Sequence, residues 1–237
     1  MSNNLYVTLR AAFPQDLDAV AVETDTGLNY SWRDLERATA MLANLLQSLG
    51  LPRGARVAVQ VDKSVEAMML YLATLRAGYV FLPLNTAYQS AEIAYFVENA
   101  EPAVVVCSPK NFGWVSKIAF SAGTHYVFTL GADRSGTLLE RAAHCSDRHV
   151  PAVMQPDDLA AILYTSGTTG LPKGCMHPHS SVMHNAVCGA IWNNGSHENI
   201  GLCVVPMFHI TGLVTVMHCG MYLGATVVLM PRWDRDY

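Results

Sequence analysis

The chain has 237 residues, of which 51% are hydrophobic and 14% charged, with a formal net charge of −4 at pH 7. That length and apolar content suffice for one large domain or two small ones around a sizeable core, which excludes a disordered chain. The charge balance excludes a basic field able to gather nucleic acid or an anionic membrane. Six cysteines, Cys107, Cys145, Cys175, Cys188, Cys203 and Cys219, form no CxxC pair and read as reduced, mostly buried thiols of a cytoplasmic protein. The opening Met1-Ser-Asn-Asn-Leu-Tyr6 has no basic region followed by an apolar stretch, so no secretory signal is expected.

After a short N-terminal helix, Ala19–Glu23 and Leu28–Tyr30 are split by Asp25-Thr-Gly27, which predicts a β-hairpin. Ser31, with Asp34 three residues on, predicts a helix start. Leu35, Ala38, Leu42, Leu45, Leu46 and Leu49 then recur at helical spacing until Gly50. Arg56–Val61 reads as a strand, Ser64–Ala77 as a helix ended by Gly78, and Tyr79–Leu84 as the next strand. Ser90–Asn99 is a further helix and Ala103–Cys107 another apolar strand. This alternation predicts an α/β fold of mainly parallel sheets layered with helices. Between Ser108 and Gln155 the pattern weakens to one strand, Tyr126–Leu130, within polar, glycine-containing connections.

No Asp, Glu, Lys or Arg lies between Glu198 and Arg232, longer than the ~20 residues a membrane-spanning helix needs. Pro206, Gly212, Gly220 and Gly224 divide the stretch, and His209, Thr211, Thr215 and His218 would meet lipid unpaired. A buried strand–helix–strand is therefore expected, with no integral membrane span; partition into detergent would favour the opposite reading.

Leu159–Tyr164 is an apolar strand that runs into Thr165-Ser-Gly-Thr-Thr-Gly-Leu-Pro-Lys-Gly174. Gly167, Gly170 and Gly174 let the backbone present successive N–H groups, Thr165, Ser166, Thr168 and Thr169 add hydroxyls, and Lys173 adds a positive charge. Triphosphate is the ligand that such a loop fits. The spacing is not GxxxxGK[ST], because Gly174 follows Lys173, so a P-loop NTPase is disfavoured. The plain alternative is a flexible turn between a strand and a helix beginning near Ser180 or Ser181. His177, His179 and His184 do not suggest a metal site, since His177 and His179 flank Pro178 in an expected loop with nothing acidic or thiolate spaced to complete a tetrahedron. Met68-Met69 and Trp192 read as core or helix-face residues.

The run Tyr164–Gly174 resembles the phosphate-loop signature of the AMP-forming synthetases: acyl- and aryl-CoA ligases, luciferases and adenylation domains. Val205-Pro-Met-Phe-His-Ile-Thr-Gly212 is similar to that family's motif whose aromatic and histidine line the acyl pocket, and the order of elements follows the family over nearly the whole chain. Val57–Val61, Pro83–Tyr88 and Ala91–Phe96 look most like malonyl-CoA synthetases. Gly174–His177 and Pro231–Arg235 look more like medium- or long-chain fatty acid:CoA ligases, and Thr211 stands where malonyl-CoA synthetases carry a second histidine. The acid is left open.

The resemblance implies a two-step reaction in which a carboxylate and ATP give an acyl-AMP and pyrophosphate, and the CoA thiol then displaces AMP. It implies phosphate binding by Thr165, Ser166, Gly167, Thr168, Thr169, Gly170 and Lys173, Mg²⁺ bridging phosphate oxygens with Thr165 as one ligand, and an acyl pocket walled by Phe208 and His209, the latter alternatively a hydrogen-bonded core histidine. By the same resemblance, residues 1–237 are part of an N-terminal AMP-binding domain. The adenylation lysine, the ribose-binding Asp and a C-terminal lid would lie in a part not present, so no catalytic residue is assigned and the chain alone is expected to be inactive. A second reading is a catalytically silent nucleotide- or anion-binding module with a regulatory or partner-binding role. Either way, self-association through an exposed apolar face is expected.

Overall fold

The computed structural model of the chain describes residues 3–165 and 170–233. Helix α1 (Leu5–Ala11) is capped by the Asn4 side chain, which accepts from the Tyr6 N–H. Strands β1 (Val20–Thr24) and β2 (Asn29–Ser31) form the expected antiparallel hairpin. At its turn Gly27 takes φ 77°, which an L side chain resists. Helix α2 (Trp32–Ser48) begins with a full capping box: Ser31 Oγ accepts from the Asp34 N–H at 3.1 Å and the Asp34 carboxylate accepts from the Ser31 N–H at 2.8 Å.

Next come β3 (Arg56–Gln60), α3 (Val65–Arg76), β4 (Val80–Pro83), α4 (Ser90–Ala100) and β5 (Val104–Cys107), close to their expected bounds. The polar region beyond Ser108 holds more than the one expected strand. Helices α5 (Phe112–Ser121) and α6 (Thr137–Ala142) flank β6 (Tyr126–Thr129). Both were hidden because α5 buries only Val115, Ser116 and Ala119, and α6 is six residues long.

A larger correction follows β7 (Leu159–Thr165). The chain does not pass from the glycine-threonine run into a helix; it returns antiparallel as β8 (Lys173–Pro178), and α7 (His179–Trp192) starts directly behind it. His177 therefore lies on a strand and His179 on a helix, not in a loop. The charge-free stretch folds as expected into β9 (Ile200–Cys203), a helical segment and β10 (Thr226–Leu229), and no helix among the described residues is long and apolar enough to cross a membrane. The helical segment is π-helical over Thr211–His218 and continues as α8 (Cys219–Leu223).

Two sheets result, one ordered β2-β1-β10-β9 and one ordered β6-β5-β3-β4-β7-β8. All pairings are parallel except the edge hairpins β1–β2 and β7–β8. All twelve residues of α3 are buried, and its side chains share one apolar cluster with α1, α2 and strands of both sheets. A helix buried all round needs no polar stripe, and α3 carries only two charges inside. Arg76 is paired through its terminal nitrogens with Glu36 at 3.0 Å, the Tyr6 hydroxyl at 2.7 Å and the His149 carbonyl at 2.7 Å, as a buried cation needs. The opposite face of the six-stranded sheet packs on α4 and α5. Met68 and Met69 are core residues as expected, whereas Trp192 is 90% exposed. All six cysteines are free, but only Cys107, Cys203 and Cys219 are buried; Cys175 and Cys188 are exposed because β8 and this part of α7 face outward.

Candidate functional site

In the six-stranded sheet the connection leaving β3 runs through α3 on one face, and the connection leaving the adjacent β4 runs through α4 on the other. Open α/β sheets place ligands where such neighbouring connections part, outside the carboxyl ends of the strands. A cleft of about 830 Å³ opens there. Its walls include Val59 and Phe81 from the strands, Asn85 and Thr86 after β4, and Met207 and Phe208 from the turn after β9. Inside, the Tyr30 hydroxyl donates to Glu66 Oε1 at 2.6 Å. Burial first, and the carboxylate second, hold that phenol above its ordinary range. Lys63 crosses from the β3–α3 loop to the other sheet, donating to the carbonyls of Cys203 at 3.0 Å and Val205 at 3.1 Å, and burial keeps its ammonium below the usual lysine range.

The glycine-threonine loop rises from the same edge. β4 pairs in parallel with β7 at Phe81 and Ala161, so β7 runs to Thr165 toward the same carboxyl edge as the cleft. Thr165 and Lys173 are opposite one another as the last pair of the β7–β8 hairpin, and the Thr165 hydroxyl donates to the Lys173 carbonyl at 3.4 Å. Both side chains are exposed, and among the described residues Lys173 has no carboxylate partner, which leaves its charge available. Gly170 is also exposed, with open space where a Cβ would stand. Ser166, Gly167, Thr168 and Thr169 lie outside the described residues.

The base of this hairpin is tightly built. Gly174 sits opposite Tyr164; a Cβ there would meet Ile162 Cγ2 at 3.0 Å and the Tyr164 ring at 3.5 Å. The Tyr164 ring packs on Phe96 of α4 with centroids 4.5 Å apart, and its hydroxyl donates to Asn99 Oδ1 at 2.5 Å. Tyr95, one residue before Phe96, donates from its hydroxyl to the Pro172 carbonyl at 2.8 Å. Sequence reading missed these α4 residues, because their only signal is an aromatic-rich helix whose contacts lie more than sixty residues away.

The two residues expected to wall an acyl pocket part company. Phe208 lines the cleft, while His209 is exposed and outside its lining. His209 is not a core histidine: its Nδ1 accepts from the Thr211 N–H at 3.2 Å, with the Thr211 hydroxyl at 3.1 Å. Gly212 closes this turn, since any Cβ would stand 2.3 Å from the Pro206 carbonyl oxygen. π-Helical turns such as the one that starts here often mark functional sites. Among the described residues no cluster of three His, Cys, Asp or Glu side chains forms a metal site.

An α/β frame of mainly parallel strands, with the exposed Thr165–Lys173 pair at the carboxyl edge of its six-stranded sheet, is of the class that binds ligands at that edge. The chain belongs to the AMP-binding enzyme family, which it matches over residues 9–237. It is 33% identical over 236 residues to 4-coumarate–CoA ligase 5 of Oryza sativa subsp. japonica, an alignment covering 97% of this chain and 43% of that protein. It is 32% identical over 216 residues to the long-chain-fatty-acid–CoA ligase FadD13 of Mycobacterium tuberculosis, covering 90% and 42%. The crystal structure of ATP-bound MatB from Rhodopseudomonas palustris superposes with a TM-score of 0.95 at 38% identity, covering all of this chain and 46% of that one. The chain thus spans less than half the length of these relatives.

Proposed function

We propose that this chain is the triphosphate-gripping part of an ATP-dependent acid:CoA ligase. The reading rests on the family, on ligases among the relatives, and above all on one observation: Thr165 and Lys173 face each other, exposed, as the last pair of a hairpin at the sheet edge where ligands bind. In the first step a carboxylate oxygen bonds to the α-phosphorus of ATP and the bond from that phosphorus to the bridging oxygen breaks, releasing pyrophosphate. In the second the CoA sulfur bonds to the acyl carbon and AMP leaves with the carboxyl oxygen.

In this proposal Thr165, Ser166, Gly167, Thr168, Thr169 and Gly170 hold the β- and γ-phosphates through N–H groups and hydroxyls, and the Lys173 ammonium offsets the charge that builds on departing pyrophosphate. Phe208 supplies apolar wall on the acyl side, and His209 stands on the exposed turn next to it. The exposed Thr165 hydroxyl fits a place as one magnesium ligand. The remaining ligands would come from the triphosphate, from water and from the portion of the relatives' length that this chain does not span. Magnesium, when bound, neutralises phosphate charge. The acid belongs to the proposal too: relatives are named for 4-coumarate and for long-chain fatty acids, and the cleft sets apolar walls beside Asp62, Lys63 and Glu66, so the choice between them is left to experiment.

Equilibrium dialysis of the 237-residue chain against MgATP tests the grip, with micromolar-to-millimolar binding expected and no binding overturning it. Pyrophosphate release with malonate, 4-coumarate and palmitate, run beside a chain of the relatives' full length, tests the reaction. Turnover is expected only in the longer chain, and its acid preference names the substrate.

A further inference from the structure

Two bonds to α4 frame the loop with a symmetry that its own sequence does not announce. Tyr164 precedes Thr165, and its hydroxyl donates to Asn99 at 2.5 Å. Pro172 precedes Lys173, and its carbonyl accepts from Tyr95 at 2.8 Å. Tyr95 and Asn99 are four residues apart on α4 and therefore share one helix face. Each phosphate-binding stem is thus fixed one residue away by the same helix. Among the described residues, the Tyr95 bond is the one hydrogen bond reaching residues 170–172 from another element.

The packing around these bonds is directional. Tyr88, Phe96 and Tyr164 form a chain of rings with centroid separations of 4.9 and 4.5 Å, and Tyr95 adds an edge contact to Phe96 at 5.5 Å. Gly174 leaves room for the Tyr164 ring. The rings pack the base of the hairpin against α4; the Tyr95 bond holds the Pro172 carbonyl, and the Asn99 bond holds the Tyr164 side chain.

We propose that Tyr95 and Asn99 form a clamp that positions Thr165 and Lys173 for the triphosphate, so that α4 sets where the two stems stand. They are positioning residues and touch no phosphate. The inference rests on the phosphate reading given above, but its test separates the two. Tyr95→Phe and Asn99→Leu each remove one bond, whereas Asn99→Asp keeps the accepting oxygen.

The first readout is amide hydrogen exchange of the nucleotide-free chain. Exchange at residues 163–165 and 173–175 is expected to rise roughly fivefold in Tyr95→Phe and Asn99→Leu, the consequence of losing one neutral hydrogen bond, with β3 and β5 unchanged and Asn99→Asp like the parent. Unchanged exchange at the hairpin overturns the clamp, as does a rise shared equally by β3 and β5, which marks a general loss of stability. The second readout is MgATP affinity, expected to weaken several-fold in the same two variants. If the hairpin loosens and affinity holds, the clamp does not position phosphate contacts and the proposal falls. If the parent binds no MgATP at all, the phosphate reading fails while the exchange result still decides whether α4 holds the loop.

Discussion

Each sheet of this molecule ends in one antiparallel hairpin, and the two hairpins solve the same geometric problem differently. The β1–β2 hairpin closes through residues 25–28, and its bonds are internal: the Gly27 N–H donates to the Thr24 carbonyl at 2.9 Å and the Leu28 N–H to the Thr24 hydroxyl at 3.0 Å. The β7–β8 hairpin closes through residues 166–172, and its stems are held from outside by α4. A short turn is specified by its own residues, whereas a longer connection draws its support from the elements packed at its base. Thr24, Asp25, Thr26, Leu28 and Tyr30 of the first hairpin line the cleft but Gly27 does not, so a substitution at Gly27 should cost folding energy alone, and substitutions at the base of the second hairpin should cost binding.

The largest effect is expected at Gly174. A valine there would drive its methyl groups into Ile162 and the Tyr164 ring, where even a Cβ stands at 3.0 Å and 3.5 Å. Relief requires Ile162 or the Tyr164 ring to give way, and movement of the ring off Phe96 and Asn99 would shift Thr165 with it. Gly174→Val is expected to abolish measurable MgATP binding in dialysis and to lower the urea midpoint, with overpacking costing about 1–3 kcal/mol. Retained affinity would show that the hairpin base does not set the grip.

Acid should act next, at the far end of the same hairpin. His179 directly follows β8 and is fully buried; its Nδ1 accepts from the Leu5 N–H at 3.0 Å. Burial pushes this imidazole down to about 4, with nearby Asp158 opposing more weakly. Burial likewise holds His149 down to about 4, with Arg76 adding to it, and His218 down to about 3, where it stacks on Tyr71. Unfolded histidines take up protons near 6.5. Between that value and about 4 the unfolded chain therefore carries protons that the native one does not, and stability falls as pH drops. For His179 the loss approaches about 3 kcal/mol below pH 4, read as a shift in urea midpoint between pH 7 and pH 4. His179→Asn should flatten that slope; an unchanged slope would assign it to other groups.

Lys173→Ala isolates charge from architecture. The side chain is exposed and without an ion pair among the described residues, so the fold should lose nothing measurable. Nucleotide affinity should fall about 10- to 100-fold, as expected for one charge-assisted bond to phosphate. An equal fall for ATP and for adenosine would place the lysine elsewhere than on the phosphates.

The same contrast governs what could be read from sequence. The β1–β2 hairpin, the capping box of α2 and the alternation from β3 to β5 were legible because each is specified locally, by Gly27, by Ser31 with Asp34, and by apolar period. β8 was not. Lys173-Gly-Cys-Met-His-Pro178 has four exposed residues in succession and no alternation, and only the pairing with β7 makes it a strand. The glycines, hydroxyls and lysine of the loop were what suggested a phosphate ligand, which stays a proposal, while nothing in the sequence suggested the loop's support, since Tyr95 and Asn99 look like ordinary helix residues until the fold brings them beside Pro172 and Tyr164. His209 could not be distinguished from a core histidine, because its neighbours Met207 and Gly212 are buried and it is not.

The smallest expected effect provides the control for all the others. Gly27 takes φ 77° with nothing within 4 Å of its missing Cβ, so an alanine there meets only backbone strain. Gly27→Ala should cost about 1 kcal/mol in urea unfolding and leave MgATP affinity untouched. Threonines and glycines close both hairpins, so composition does not separate them. If this variant also weakened nucleotide binding, the turn would be acting through its own cleft-lining residues, Thr24, Asp25, Thr26 and Leu28, and the division between a self-contained hairpin and an anchored one would be wrong.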